Sequence, residues 1–114
     1  ELLIGIVLDP AHGYVLTLAA GGILTEVLGD SVSMTLPVNG SDILNALARL
    51  RIAPVLNGYR GAAPANQDAI VDAVLAVQSY ALETTPYEVE INPLICTQTE
   101  AVIADALWRQ TYPE

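Results

Sequence analysis

Glu90-Ile-Asn-Pro-Leu-Ile-Cys (90–96), Thr-Gln-Thr-Glu (97–100) and Ala-Val-Ile-Ala-Asp-Ala-Leu (101–107) follow one another near the end of the chain. Two apolar runs flank four polar, turn-like residues, which is the pattern of an antiparallel hairpin. A hairpin centred between Gln98 and Thr99 sets Asn92 opposite Asp105. Directly opposed residues in such a pair hold their Cβ atoms about 4.5–5.5 Å apart, close enough for an amide oxygen and a carboxylate to share one small cation. Strand alternation puts Glu90, Asn92, Leu94 and Cys96 on one face, with Leu107, Asp105, Ile103 and Ala101 opposite them. The other face then holds Ile91, Pro93 and Ile95.

Three oxygen-bearing side chains, Glu90, Asn92 and Asp105, thus converge at one end of a hairpin expected to be mostly buried. Acids withdrawn from water need a partner. Mg²⁺ suits them, because it takes hard oxygen ligands, few of them from protein, and leaves the rest of its octahedron to water and phosphate. A polar cluster near a strand end is also a common solvent-exposed surface, and Pro93 inside the strand marks an edge or a bulge that shifts the register.

Working outward, Glu1 to Asp9 and Tyr14 to Ala19 are apolar runs around Asp-Pro-Ala-His-Gly (9–13), a second hairpin. Gly21-Gly22 breaks its second strand, and Ile23 to Leu28 has the composition of one helical turn. Val32 to Val38 alternates as a half-buried strand. Ser41 reads as an N-cap, followed by a helix through Ile43, Leu44, Leu47 and Leu50 that carries Arg49 and Arg51 near its negative end. Pro54 ends or breaks that helix, and 57–64 is a loop. Gln67 to Glu83 is the clearest helix, with Ile70, Val74, Val77 and Ala81 on one stripe, widened by Val71 and Leu75. The order β-β-β-α-α-β-β predicts an α+β domain, a mostly antiparallel sheet with two main helices on one face.

Composition bounds the function. Thirteen acids face four arginines (49, 51, 60 and 109) and no lysine, for a net charge of −9. Nucleic acid is excluded as a partner, since binding it needs clustered cations. A polyphosphate bound here draws positive charge from a metal or from another segment. One cysteine, Cys96, excludes an internal disulfide and fits a cytoplasmic protein. The longest uncharged run, between Asp9 and Glu26, contains Pro10, His12 and three glycines, so no membrane span is expected. The chain opens directly on a strand-like run at Glu1, which leads us to expect a single subdomain excised from a longer protein.

Glu1-Leu-Leu-Ile-Gly-Ile, Asp9-Pro10, Gly21-Gly22-Ile23, Glu26-Val27-Leu28, Asp30, Leu36-Pro37, Gly58, Arg60-Gly61, Glu90-Ile-Asn-Pro-Leu and Asp105 stand in an order that resembles the NDP-forming acyl-CoA synthetases. These relatives of succinyl-CoA synthetase contain an ATP-grasp module, and the chain looks like its C-terminal subdomain. The resemblance covers nearly all of the sequence. It implies that Asn92 and Asp105 ligate Mg²⁺ and that Glu90 serves catalysis beside a phosphorylated histidine. That histidine carries phosphate between the nucleotide and acyl-CoA sites. It further implies ATP or ADP as cofactor, with Gly21-Gly22 close to the phosphates. The bland reading of those glycines is a tight turn ending a strand. Arg60 is a candidate phosphate contact, although loop arginines are commonly solvated. His12 stands where the family usually has an aromatic residue and reads as a surface or packing histidine. Cys96 reads as a core residue.

The lysines that hold ATP and the phosphohistidine belong to the upstream half of the grasp and to the CoA-binding portion, so both are expected partners, with a CoA thioester as substrate of the whole. A homo-oligomer is compatible with the sequence. Two other classes compete: a regulatory ATP-grasp-like module, as occurs beside acetyltransferase domains, and a purely structural domain.

Overall fold

The computed structural model describes residues 1–21 and 29–111. Asp9 builds the first reversal: its Oδ1 accepts the N–H groups of Ala11 (2.7 Å) and His12 (3.2 Å). Gly13, at φ +76°, completes the turn between β1 (Leu2–Asp9) and β2 (Gly13–Ala20). The bond from Ala11 leads the causes that hold the exposed Asp9 carboxyl below its usual value. His12 is a surface residue 3.4 Å from the same carboxylate.

Four further strands follow: β3 (Ser31–Thr35), β4 (Glu88–Cys96), β5 (Ala101–Ile103) and β6 (Ala106–Arg109). The sheet runs β3-β2-β1-β4-β5, with β6 also beside β4, and every pairing is antiparallel. Alternation buries Leu2, Ile4, Ile6, Leu16, Leu18 and Val32 on one face. Onto that face pack α1 (Gly40–Arg49), the short α2 (Ala53–Leu56) and α3 (Gln67–Thr84), through Ile43, Leu47, Leu56, Ile70, Val74 and Ala81. The expected α+β architecture is the observed one. No described helix is long and apolar enough to cross a membrane.

Local differences have local causes. The cap of α1 is Asn39, not Ser41: its side chain accepts from Asp42 N while the Asp42 carboxylate accepts from Asn39 N, a reciprocal capping box. Pro54 opens α2 instead of only ending α1, because a first-turn position wastes no N–H. The proposed helical turn at Ile23 to Leu28 lies outside the described residues. The last strand of the sequence reading is two strands, broken at Ala104-Asp105.

Two buried polar side chains tie the layers together. Asp30 is only 4% exposed and accepts the N–H groups of Arg51 (2.6 Å) and Ile52 (3.1 Å), where the chain breaks between α1 and α2. Its own carbonyl accepts from Ala20 N, so one residue fixes the end of β2 to the helix corner. Gln78 accepts from Val38 N (2.8 Å) and donates to Val38 O (3.1 Å), pinning the middle of α3 to the β3–α1 connection. Asp30→Ala strands two backbone donors and is expected to lower unfolding free energy by about 2–3 kcal/mol, as expected for lost hydrogen bonds to a charged group. Asp30→Asn, which keeps an acceptor, should lose less. Urea titrations of the three proteins check this ordering.

Candidate functional site

β4 lies between β1 on one side and β5 and β6 on the other, and it is one residue too long for β1. Leu2 pairs with Leu94 and Ile4 with Ile91, so Leu3 alone faces both Asn92 and Pro93. This is a β-bulge. On the other side the register expected from the sequence holds throughout: Ile91 pairs with Ala106 and Leu94 with Ile103, leaving 92–93 against 104–105. Asn92 N donates to Asp105 O (3.1 Å) and Ala104 N to Pro93 O (3.1 Å) across the irregularity.

The extra residue turns the strand over. Glu90 and Asn92 point away from the helices, while Val89, Ile91 and Leu94 are buried in the core. The expected single face of Glu90, Asn92, Leu94 and Cys96 is therefore corrected: the bulge sends Leu94 and Cys96 inward and leaves Glu90 and Asn92 outside. Glu90, Asn92 and Asp105 line one concavity of about 310 Å³, with Ala106 and Leu107.

The expectation of a buried, desolvated site is also corrected. Asn92 and Asp105 are exposed and Glu90 is half-buried, because the outer face of the sheet carries no helix. Asp105 Oδ1 accepts from Ala106 N (2.9 Å), which orients the carboxylate and leaves oxygen lone pairs open. The donors are all hard oxygens. No group of three or more His, Cys, Asp and Glu suited to a metal occurs among the described residues.

Beside Glu90 the outer face is low. Glu90 pairs with Gly5, Gly5 with Thr17 and Thr17 with Ser33, whose hydroxyls share a 2.8 Å hydrogen bond. Gly5 has room for a Cβ, meeting only Leu3 Cδ2 at 3.7 Å, so its absence of side chain opens a lane from Glu90 to the Thr17–Ser33 pair. A glycine inside a strand is the sequence signal for such a close approach.

The other candidates lie apart. Gly21 N donates to Glu1 O, and a Cβ there would stand 3.0 Å from the Glu1 carbonyl carbon, so packing of two backbones explains a glycine. Gly22 falls outside the described residues. Arg60 sits in the α2–α3 connection at φ +54°, its guanidinium 5.3 Å from the Tyr59 ring, and does not line the concavity of Glu90, Asn92 and Asp105. Burial raises the Cys96 thiol above its ordinary pKa, which keeps it protonated and inert at neutral pH.

Known proteins share both sequence and shape. Residues 1–109 match the ATP-grasp domain family. The chain is 32% identical over 107 residues to the beta subunit of acetate–CoA ligase [ADP-forming] I of Pyrococcus furiosus, covering 93% of this chain and 46% of that one. The beta subunit of isoform II from the same organism is 32% identical over 110 residues, with 93% and 47% covered. Acetyl-coenzyme A synthetase 1 of Ca. Korarchaeum cryptofilum, solved with coenzyme A and Mg-AMPPCP, superposes with a TM-score of 0.92 at 26% identity, over 97% of this chain and 53% of that one. The chain thus spans about half the length of these relatives. With its six-stranded antiparallel sheet, helices on one face and residues 1–109 of 114 matched, the chain belongs to the ATP-grasp domain family.

Proposed function

We propose that this chain is the C-terminal, metal-side subdomain of an ATP-grasp ligase of the ADP-forming acyl-CoA synthetase class. The observation that carries this reading is the convergence of Glu90, Asn92 and Asp105 on one concavity of the open sheet face. The parent reaction would interconvert acyl-CoA, ADP and phosphate with the acid, CoA and ATP through a phosphohistidine.

Asn92, through its amide oxygen, and Asp105, through its carboxylate, would hold Mg²⁺, and the bound ion would offset charge on the nucleotide's phosphates. Asn92 at the bulge and Asp105 at the β5–β6 break both lie outside the core, with the hairpin register kept. Glu90, one strand position away on the same face, would accept the N–H of an incoming histidine and so fix which ring nitrogen faces the phosphate. The lane past Gly5 lets a flat ligand lie along the sheet. Thr17 and Ser33 offer hydroxyls at its far end.

The missing element is positive charge. Arg109, on the same face, is already 3.1 Å from Glu88, and the chain has no lysine. The cations for the polyphosphate would come from the upstream half of the grasp, and the phosphohistidine from a CoA-binding domain or subunit. A cytoplasmic location fits this chemistry.

Asp105→Asn should leave the stability of the chain within about 0.5 kcal/mol, the usual bound for an exposed substitution. In a complete enzyme carrying the preceding half, the same change should weaken Mg²⁺-dependent turnover by at least tenfold to a hundredfold, roughly what removal of even an outer-shell partner does. A melting curve of the chain beside a Mg²⁺ titration of the complete enzyme reads both. Unchanged Mg²⁺ dependence places the metal elsewhere. The chain by itself is expected to show no CoA-dependent ATP turnover in a coupled assay. Activity that Asp105→Asn abolishes would mean that no second half is needed.

A further inference from the structure

The helical side of the sheet carries a second concavity, which shares with the acid cluster's only Ala106 and Leu107 of the edge strand β6. A groove of about 430 Å³ runs between α3 and the β5–β6 edge, walled by Ala76, Val77, Tyr80, Ile103, Ala106 and Trp108. Its interior is apolar, and large side chains are left in water: Tyr80 is 55% exposed and Ile103 46%. Tyr80 and Trp108 meet edge-on, centroids 4.8 Å apart. Trp108 Nε1 already donates to Gln110 Oε1 (3.1 Å), so the ring offers an apolar face with its one polar group satisfied. An exposed tyrosine seated on a half-buried tryptophan is a typical anchor of a protein interface.

The α3 side of the rim has one sign. Asp72, Ala76, Tyr80 and Glu83 follow one another at helical spacing along the α3 side of the groove, and α3 contains no arginine or lysine. From Asp72 to Glu83 the helix runs about 16 Å, room for roughly three turns of a partner helix. Arg109 is held at Glu88, on the opposite face of the sheet. A second copy of this chain, with thirteen acids and four arginines, brings like charge to the same rim.

We infer that this groove docks an amphipathic helix whose apolar stripe is flanked by lysines or arginines. Leucine-sized side chains pack against the joined Tyr80–Trp108 wall and Ile103, while the flanking cations meet Asp72 and Glu83. This is the helix-in-groove mode, with charge deciding the partner.

Trp108 is the only tryptophan in the chain, so its emission reports the groove directly. The probes are two synthetic helical peptides without tryptophan, one of leucine and lysine, the other with glutamate in place of lysine. The lysine peptide should give a saturable change in Trp108 emission, and the glutamate peptide should bind at least about tenfold more weakly. Ala76→Glu, at an exposed position, should abolish the response. Asp72→Lys with Glu83→Lys, both exposed, should reverse the preference, an outcome that misfolding cannot imitate. Asp105→Asn should change none of these results, which separates the groove from the proposed metal site. Equal binding of both peptides, or no response to either, overturns the inference. So does a concentration-dependent dimer, seen by sedimentation, that Ala76→Glu dissociates, or a neutral apolar dye that occupies the groove and is not displaced by the lysine peptide.

Discussion

A strand paired on both edges cannot choose its register freely, and β4 carries this constraint for the whole domain. Toward β1 it must bring Val89, Ile91 and Leu94 into a core shared with Ile4, Ile6 and the helices. Three inward residues at positions 89, 91 and 94 do not fit a period of two. The excess residue at Asn92-Pro93 resolves the mismatch, and the partner hairpin answers it with its own interruption at Ala104-Asp105. The core is satisfied on both sides of the defect, and the residues at the defect are released to the opposite face. The polar cluster exists because the packing there had no use for those positions.

The charge distribution follows a similar division. Acids populate the surface in excess, and the few arginines sit at the end of α1, in the α2–α3 connection and beside Glu88. A surface of this kind is suited to bind cations or cationic partners and unsuited to hold a polyphosphate unaided. Both ligands proposed above, a metal ion on one face and a cationic helix on the other, would bring positive charge from outside the chain.

Much of the fold was legible because the signals were periodic or chemical. The stripe Ile70, Val74, Val77, Ala81 gave α3 to within a residue or two, and the turn at 97–100 gave the pairing of Asn92 with Asp105. The faces of β4 were not legible, since a bulge is a decision made by the neighbouring strand: nothing local to 90–96 states that β1 is one residue short. The exposure of Asp105 was missed for the same reason, because the sequence does not say which sheet face the helices take. Asn39 as the cap was hidden behind Ser41, an equally good residue, and was chosen by the reciprocal bond with Asp42. Gln78 lies one position past the apolar stripe, and its role appears only once Val38 is brought against it. The groove beside Trp108 depends on the break in the last strand, which a continuous reading of 101–107 erased.

The hold of Gln78 on Val38 also sets how this domain is able to move. With both polar groups of the Val38 backbone taken by one side chain in the middle of α3, and with Asn66 N bonded to Thr97 O just before its first turn, α3 is tied to two separate parts of the chain. Sliding it by one turn would break the two buried Gln78–Val38 hydrogen bonds together with the one at its start. Shear between the helical layer and the sheet is therefore closed to this domain. Any motion relative to a neighbouring body is then that of this domain as one piece.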